Sequence, residues 1–279
     1  MVHFVPLFNP NPEIPPRVLA TDLDGTFIPL SADPCQWAAL DVFRRHKSNS
    51  AFLLVFATGR HFDSTLDAVR QFNLPPPDWI VCDVGTSIHR RVANSFVPFA
   101  PFETHLLQTV RGIDRSAVES ALNDVPGLAL QPPERQRPFK ISFFSEPGSA
   151  ESLADLSNKR LADALLPFAC HASVDPFHGV GLLDVLPVGA TKAAALDWLS
   201  SHADFSPDEI VFAGDSGNDL PALASGFRSI VVANAVPGLA DRAERMLAAR
   251  NLSSRLFRSS LPASAGVLEG ARHFGLIPP

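Results

Sequence analysis

Asp22-Leu23-Asp24-Gly25-Thr26 sets two carboxylates two residues apart, directly after the apolar run 18–21. Side chains at i and i+2 of a strand share a face, and Gly25 lets the chain turn. A carboxylate so placed can attack phosphorus and form an acyl phosphate. A second one can protonate the leaving oxygen and then take a proton from the attacking water. The same pair in an ordinary loop would do no more than cap a helix. Gly214-Asp215-Ser216-Gly217-Asn218-Asp219 is more specific. Two acids four apart on a glycine-bearing turn suit a hard cation, and Mg2+ takes few carboxylates, with waters and phosphate oxygens completing its shell. An elaborate helix N-cap is the bland alternative. Thr58-Gly59-Arg60 offers a hydroxyl and a backbone N–H to a phosphoryl oxygen, although Thr-Gly at a strand end is also common turn chemistry. Lys192, opening a helix, can offset charge on a phosphate and its nucleophile. Alone it would read as a solvated charge.

These residues need elements that bring them together. The apolar runs 18–21, 51–57, 79–84, 209–213 and 229–233 read as strands, and helices are expected at 33–43, 62–72, 190–200 and 237–250. Asp33-Pro34 is a helix start, an N-cap followed by Pro. Strands that are apolar throughout and alternate with helices predict a parallel sheet covered on both faces. Functional residues then gather past the carboxyl ends of the strands, where Asp22, Thr58 and Asp215 stand. The middle of the chain follows a different grammar. Helix-strand-strand occurs twice there, at 114–123, 127–131 and 138–145, then at 150–166, 169–174 and 180–186. This predicts an inserted α+β unit with a small antiparallel sheet. The expected division is a core of 1–93 plus 188–279, with 1–16 an irregular lead-in, and an insert of 94–187.

Composition narrows the classes. The chain has 279 residues, 23 Lys and Arg against 29 Asp and Glu, and a formal charge of −6. No basic face recommends a nucleic-acid partner. Cys35, Cys82 and Cys170 are sparse and far apart, which gives neither a disulfide framework nor a zinc site. No apolar run is long enough to span a membrane, and the amino terminus has no signal-peptide pattern. A cytoplasmic, monomeric protein acting on a small molecule is expected. The 21 Phe and absent Tyr exclude any tyrosine-based chemistry.

Taken in order, each at a strand end or the following helix start, the four clusters resemble the haloacid dehalogenase-like phosphatase family over residues 17–279. The resemblance implies an α/β fold with a Rossmann-like parallel-sheet core and an inserted α+β cap of the C2 type. It implies Asp22 as nucleophile, Asp24 as general acid and base, Thr58 as a phosphoryl ligand and Lys192 as its neutraliser. Asp22, the carbonyl of Asp24 and Asp215 would ligate Mg2+, with Asp219 as a further acid of the metal site and Asn218 beside it. Aspartate at 24 separates the chain from the ATPase branch, which carries Thr there. The insert lies between Thr58 and Lys192, whereas the mutase branch places its lid earlier.

The segment Leu130-Gln131-Pro132…Gln136-Arg137-Pro138-Phe139-Lys140-Ile141-Ser142-Phe143 resembles the cap of sucrose-phosphate phosphatases. So do 78–88 and the ending Ser259-Ser260…Ala265-Gly266-Val267-Leu268-Glu269. Gln131, Gln136 and Lys140 are therefore expected to hydrogen-bond a sugar, with Gly59, Arg60 and Asn218 on the substrate side of the core. The implied activity is Mg2+-dependent hydrolysis of a sugar phosphate through an aspartyl phosphate, sucrose 6-phosphate first among the candidates. Other phosphorylated sugars or glycosides are the alternative, and a non-catalytic sugar-phosphate-binding or scaffolding domain a third reading. Three departures bear on the sugar: Gly25 replaces the family's Asn, Arg135 stands where an acid is common, and so does Leu182. Glu134 offers a substitute acid at a shifted register.

Overall fold

A computed structural model of the chain describes residues 11, 13–49, 51–110, 112, 114–175 and 178–279. Most of the irregular lead-in expected at 1–16 lies outside the described residues.

The apolar runs become strands and the amphipathic stretches become helices, in alternation. The chain opens with β1 (Val18–Thr21), α1 (Pro34–Ser48), β2 (Leu53–Ala57), α2 (Phe62–Gln71) and β3 (Trp79–Cys82). Asp33 caps α1, its carboxylate accepting the Cys35 N–H at 2.9 Å, with Pro34 at the first helical position. A hairpin follows, β4 (Ser87–Val92) and β5 (Ser95–Pro98). Next come α3 (Ala100–Val110), α4 (Arg115–Leu122), β6 (Ala129–Leu130), β7 (Ile141–Ser145), α5 (Ala150–Asp163), β8 (Phe168–Val174) and β9 (Gly181–Pro187). The chain closes with α6 (Lys192–Ser200), β10 (Ile210–Gly214), α7 (Leu220–Leu223), β11 (Arg228–Val231), α8 (Leu239–Ala248), β12 (Leu256–Arg258) and α9 (Ala263–His273).

Two compact units result, one of Met1–Pro98 with Lys192–Pro279, the other of Phe99–Thr191. The first carries an eight-stranded sheet in the order β12-β11-β10-β1-β2-β3-β4-β5. Its pairs are parallel from β12 to β3, and the β3–β4 and β4–β5 pairs are antiparallel. Strand order reverses at β1, with β2 on one side and β10 on the other, which makes the crevice beyond their carboxyl ends the natural place for a ligand. The core is aliphatic and Phe-rich. Phe27 packs against Phe43 and Phe56 with ring centroids 5.1 and 5.8 Å apart, and all three are fully buried.

The second unit is a four-stranded antiparallel sheet, β6-β7-β9-β8. Ile141, Phe143, Leu183, Val185 and Cys170 form one face of it and pack with Val118, Leu122 and Leu161 of the helices. The sequence boundary at 94 falls within the β4–β5 hairpin, and the first unit runs to Pro98 because β5 pairs with β4 as the antiparallel edge of its sheet. Neither that hairpin nor α3 was apparent in the sequence pattern. Residues 188–191 belong to the second unit.

Candidate active site

The first unit gathers Asp22, Asp24, Thr58, Lys192, Asp215 and Asp219 from the carboxyl ends of β1, β2 and β10 and the start of α6. Asp22 follows β1 with its N–H bonded to the Ala213 carbonyl at 2.9 Å, so the β1 and β10 ends are in register. The turn Leu23–Phe27 then bends sharply, Gly25 taking φ +80°. A Cβ at Gly25 would collide with the Asp215 carboxylate. Thr26 Oγ1 donates to Asp215 Oδ1 at 2.8 Å and ties the two acid-bearing loops together.

Lys192 is fully buried. Its Nζ donates to Asp22 Oδ1 at 2.8 Å and to Asp219 Oδ1 at 2.7 Å. Asp219 Oδ2 accepts the N–H groups of Asp215 and Ser216, both at 3.0 Å, and the Ser216 hydroxyl. Both Asp219 oxygens are thus engaged within the protein. Gly214 makes room for it, since a Cβ there would lie 2.6 Å from that of Asp219. Asp22 Oδ2 and Asp215 Oδ2 accept no such bond, and Asp22, Asp215 and Asp219 form a cluster of buried acids that can each offer an oxygen within 4.8 Å of the others.

The electrostatics follow from burying three acids with one ammonium. Burial pushes the Asp22 carboxyl up to about 7; Lys192 opposes the rise, and the charges of Asp219 and Asp24 add to it. Asp215 is raised well above the usual carboxylate range by burial and by its Asp22 and Asp219 neighbours. Burial alone would lower Lys192, but the two carboxylates outweigh it and hold the ammonium above its ordinary value. A buried excess of negative charge with oxygen-only donors matches a hard divalent cation, so these residues fit Mg2+.

Thr58 follows β2, fully buried, its N–H on the Val81 carbonyl at 2.9 Å and its hydroxyl accepting the Arg60 N–H at 3.1 Å. An added Cβ at Gly59 would lie 3.9 Å from Asn218 Nδ2, which places Asn218 beside the Thr58-Gly59 turn. The adjoining turn is unusual. Asp83 and Val84 take φ +52° and +61°, while their N–H groups bond the Arg60 and Thr58 carbonyls at 3.0 Å. A β-branched residue in the left-handed region is strained, and such strain persists only where the surroundings over-determine it.

Arg60, expected on the substrate side of the core, meets Asp24. Its Nε and Nη2 grip Asp24 Oδ2 and Oδ1, both at 2.6 Å, and Nη1 donates to the Ser64 carbonyl and hydroxyl. The planar fork of the guanidinium matches both carboxylate oxygens. No local pattern signalled this; the two residues meet only through the β1–β2 pairing.

In the second unit, Gln131, Gln136 and Lys140 come together around β7. Gln136 donates to the Gln131 and Ser142 carbonyls at 2.8 and 2.9 Å and accepts from Ser142 N–H and Arg115 Nη2 at 2.9 and 2.8 Å. Its amide is saturated within the unit, so it buckles the 131–142 segment. Gln131 is buried, with Nε2 on the Phe143 carbonyl at 3.1 Å, and Lys140 is buried too. Arg135 and Glu134 are exposed, and Leu182 is half-buried opposite Phe144. Ser142 donates to Asp184 at 2.6 Å on the same sheet, a pair that sequence reasoning did not single out. Among the described residues no helix is long and apolar enough to cross a membrane.

With this geometry in hand, comparisons with known proteins identify the family. The family model for sucrose-6F-phosphate phosphohydrolase matches residues 15–275. A mannosylfructose-phosphate phosphatase of Agrobacterium fabrum is 30% identical over 269 residues, 95% of this chain and 99% of that protein. Sucrose-phosphatase 1 of Nicotiana tabacum is 30% identical over 238 residues, 84% of this chain and 52% of the tobacco protein. A sucrose-phosphatase from Synechocystis, whose X-ray structure holds sucrose and phosphate, has the same fold with a TM-score of 0.76 at 24% identity, covering 94% of this chain and 98% of that one. The chain belongs to the sucrose-6F-phosphate phosphohydrolase family, within the haloacid dehalogenase-like phosphatases.

Proposed function

We propose that this phosphatase hydrolyses a phosphorylated sugar, with sucrose 6-phosphate the first candidate and mannosylfructose phosphate the second. The observation that carries the chemistry is the placement of Lys192 between Asp22 and Asp219, which leaves one Asp22 oxygen and one Asp215 oxygen unengaged at the strand ends. The Asp22 carboxylate attacks phosphorus, and the bond from phosphorus to the sugar oxygen breaks as Asp24 gives that oxygen a proton. Water then attacks the aspartyl phosphate, Asp24 takes its proton, and inorganic phosphate leaves with Asp22 restored. Thr58 and the N–H of Gly59 hold the phosphoryl oxygens. Lys192 offsets the charge shared by nucleophile and phosphate. Arg60 aligns Asp24. Asp22, Asp215 and the Asp24 carbonyl would hold Mg2+, with Asp219 supporting that set, and a bound ion would neutralise phosphoryl charge.

Gln131 and Lys140 contact the sugar, and Gln136 keeps their segment in shape. The family's match over residues 15–275 supports sucrose 6-phosphate. Exposed Arg135 and half-buried Leu182 at two acid positions, together with a relative named for mannosylfructose phosphate that matches along its whole length, support the second substrate. Phosphate release from a panel of sugar phosphates containing both, with Mg2+ and with EDTA, tests the proposal. A single strongly preferred sugar phosphate hydrolysed only with Mg2+ is expected; no release from any member overturns it.

A further inference from the structure

The carboxyl-terminal segment Ser259–Glu269 has no part in the chemistry described so far, yet its hydrogen bonds lead to the Asp22 loop. Glu269 accepts the N–H and hydroxyl of Ser260 at 2.8 and 2.9 Å, and also the Ser259 hydroxyl. That holds the chain at Leu261, whose carbonyl accepts the Ala233 N–H at 3.0 Å. The next residue, Asn234, bridges two segments with its carboxamide. Its Nδ2 donates to the Gly25 carbonyl at 2.7 Å, and its Oδ1 accepts the Ala263 N–H at 2.8 Å. Ala263 holds φ +47°, a left-handed conformation rare for a residue with a Cβ. The neighbouring Ser264 donates to the Gln36 carbonyl at 2.7 Å, and Gln36 Oε1 accepts the Leu30 N–H at 2.8 Å. Gly25 and Leu30 are therefore held by one hydrogen-bonded ring that runs through Asn234, the start of α9 and the buried Gln36.

We propose that Asn234 is a positioning residue for the nucleophile loop. Gly25 has no side chain to anchor it, and its φ of +80° leaves the loop a wide choice of ψ. Fixing the Gly25 carbonyl fixes the plane of the Gly25–Thr26 peptide. That in turn sets Thr26 against Asp215, and Asp22 and Asp24 against phosphorus and the leaving oxygen. The Ser259–Glu269 segment is the frame that holds Asn234 in place.

The inference rests on the reading of Asp22 and Asp24 as catalytic, and two variants separate its parts. Asn234→Ala removes both hydrogen bonds. Asn234→Asp keeps the shape and the acceptor for Ala263 but sets an oxygen against the Gly25 carbonyl. With p-nitrophenyl phosphate and Mg2+, both variants are expected to lose kcat by about 10- to 100-fold at nearly unchanged KM, measured where melting curves show each variant fully folded. Amides of residues 22–28 are expected to exchange hydrogen for deuterium faster in both, a readout that needs no activity. Wild-type kcat in Asn234→Asp, a loss of kcat that only follows the folded fraction, or unchanged exchange at 22–28 would overturn the proposal. If the wild-type chain releases no phosphate from any ester, the functional reading fails, and the exchange measurement still decides whether Asn234 holds the loop.

Discussion

Burying the Asp22 carboxyl carries an electrostatic cost. A carboxyl pushed up to about 7 by burial is a poor stabiliser in the metal-free protein. Its folded value lies above the ordinary 3.8, so the folded state holds a proton that the unfolded state releases between these limits. The contribution of Asp22 to stability is therefore most favourable below the ordinary value and is lost as pH rises toward about 7. Asp215 acts in the same direction. Two outcomes follow. Asp22→Asn abolishes Mg2+-dependent phosphate release while keeping the wild-type circular dichroism spectrum, and at pH ~8 without metal it melts higher than wild type, because the uncompensated buried charge is gone. Undiminished turnover, or a lower melting point at that pH, contradicts this. Mg2+ binding at pH ~6 releases protons, because ligation needs the carboxylates that burial keeps protonated. Calorimetry in buffers of different ionisation enthalpy reads this directly, and binding without proton release counts against it.

Elements position these residues through backbone geometry that few residue types allow. The turn after β1 needs Gly25 for its φ and for the space that Asp215 occupies. Gly25→Ala combines a left-handed penalty of about 1–2 kcal/mol with a Cβ driven into the acid. It is expected to lose at least about 100-fold in kcat, a larger effect than the stability loss alone would give. Steady-state kinetics beside a denaturant titration separates the two, and wild-type kcat in a destabilised variant would show that the acid does not need its present position. The start of α6 works differently. Lys192 stands in its first turn, where a cation gains nothing from the helix dipole. It is held there by carboxylates on two other elements, Asp22 after β1 and Asp219 after β10. In the second unit, β7 and the saturated amide of Gln136 keep Gln131 and Lys140 near each other, so their segment has its shape without a ligand.

At the scale of the whole molecule, the proposed function divides two tasks between the units, phosphoryl transfer for the first and recognition of the sugar for the second. Lys140→Ala is therefore expected to raise KM for the preferred sugar phosphate by about tenfold and to leave KM for p-nitrophenyl phosphate nearly unchanged, since a lost charged hydrogen bond costs about 1.5–3 kcal/mol only where the partner is present. Equal effects on both substrates would remove Lys140 from sugar recognition. The strands, most helices and the strand-end acids were legible in the sequence because burial on both faces of a parallel sheet demands continuous apolar runs, and because a glycine-bearing turn after such a run announces itself locally. The β4–β5 hairpin was not, since its residues are largely exposed and β5 ends in Pro98, which leaves little apolar pattern to read. Asp22, Asp24, Lys192 and Asp215 could be named from their types and spacing, but their partners could not. Arg60 on Asp24, Thr26 on Asp215, Asn234 on Gly25 and the saturation of Asp219 and Gln136 are hydrogen bonds, several of them between residues far apart in the chain. A hydrogen bond is settled by distance and angle within a fraction of an ångström, and only the packed sheet and its loops bring those groups to that distance.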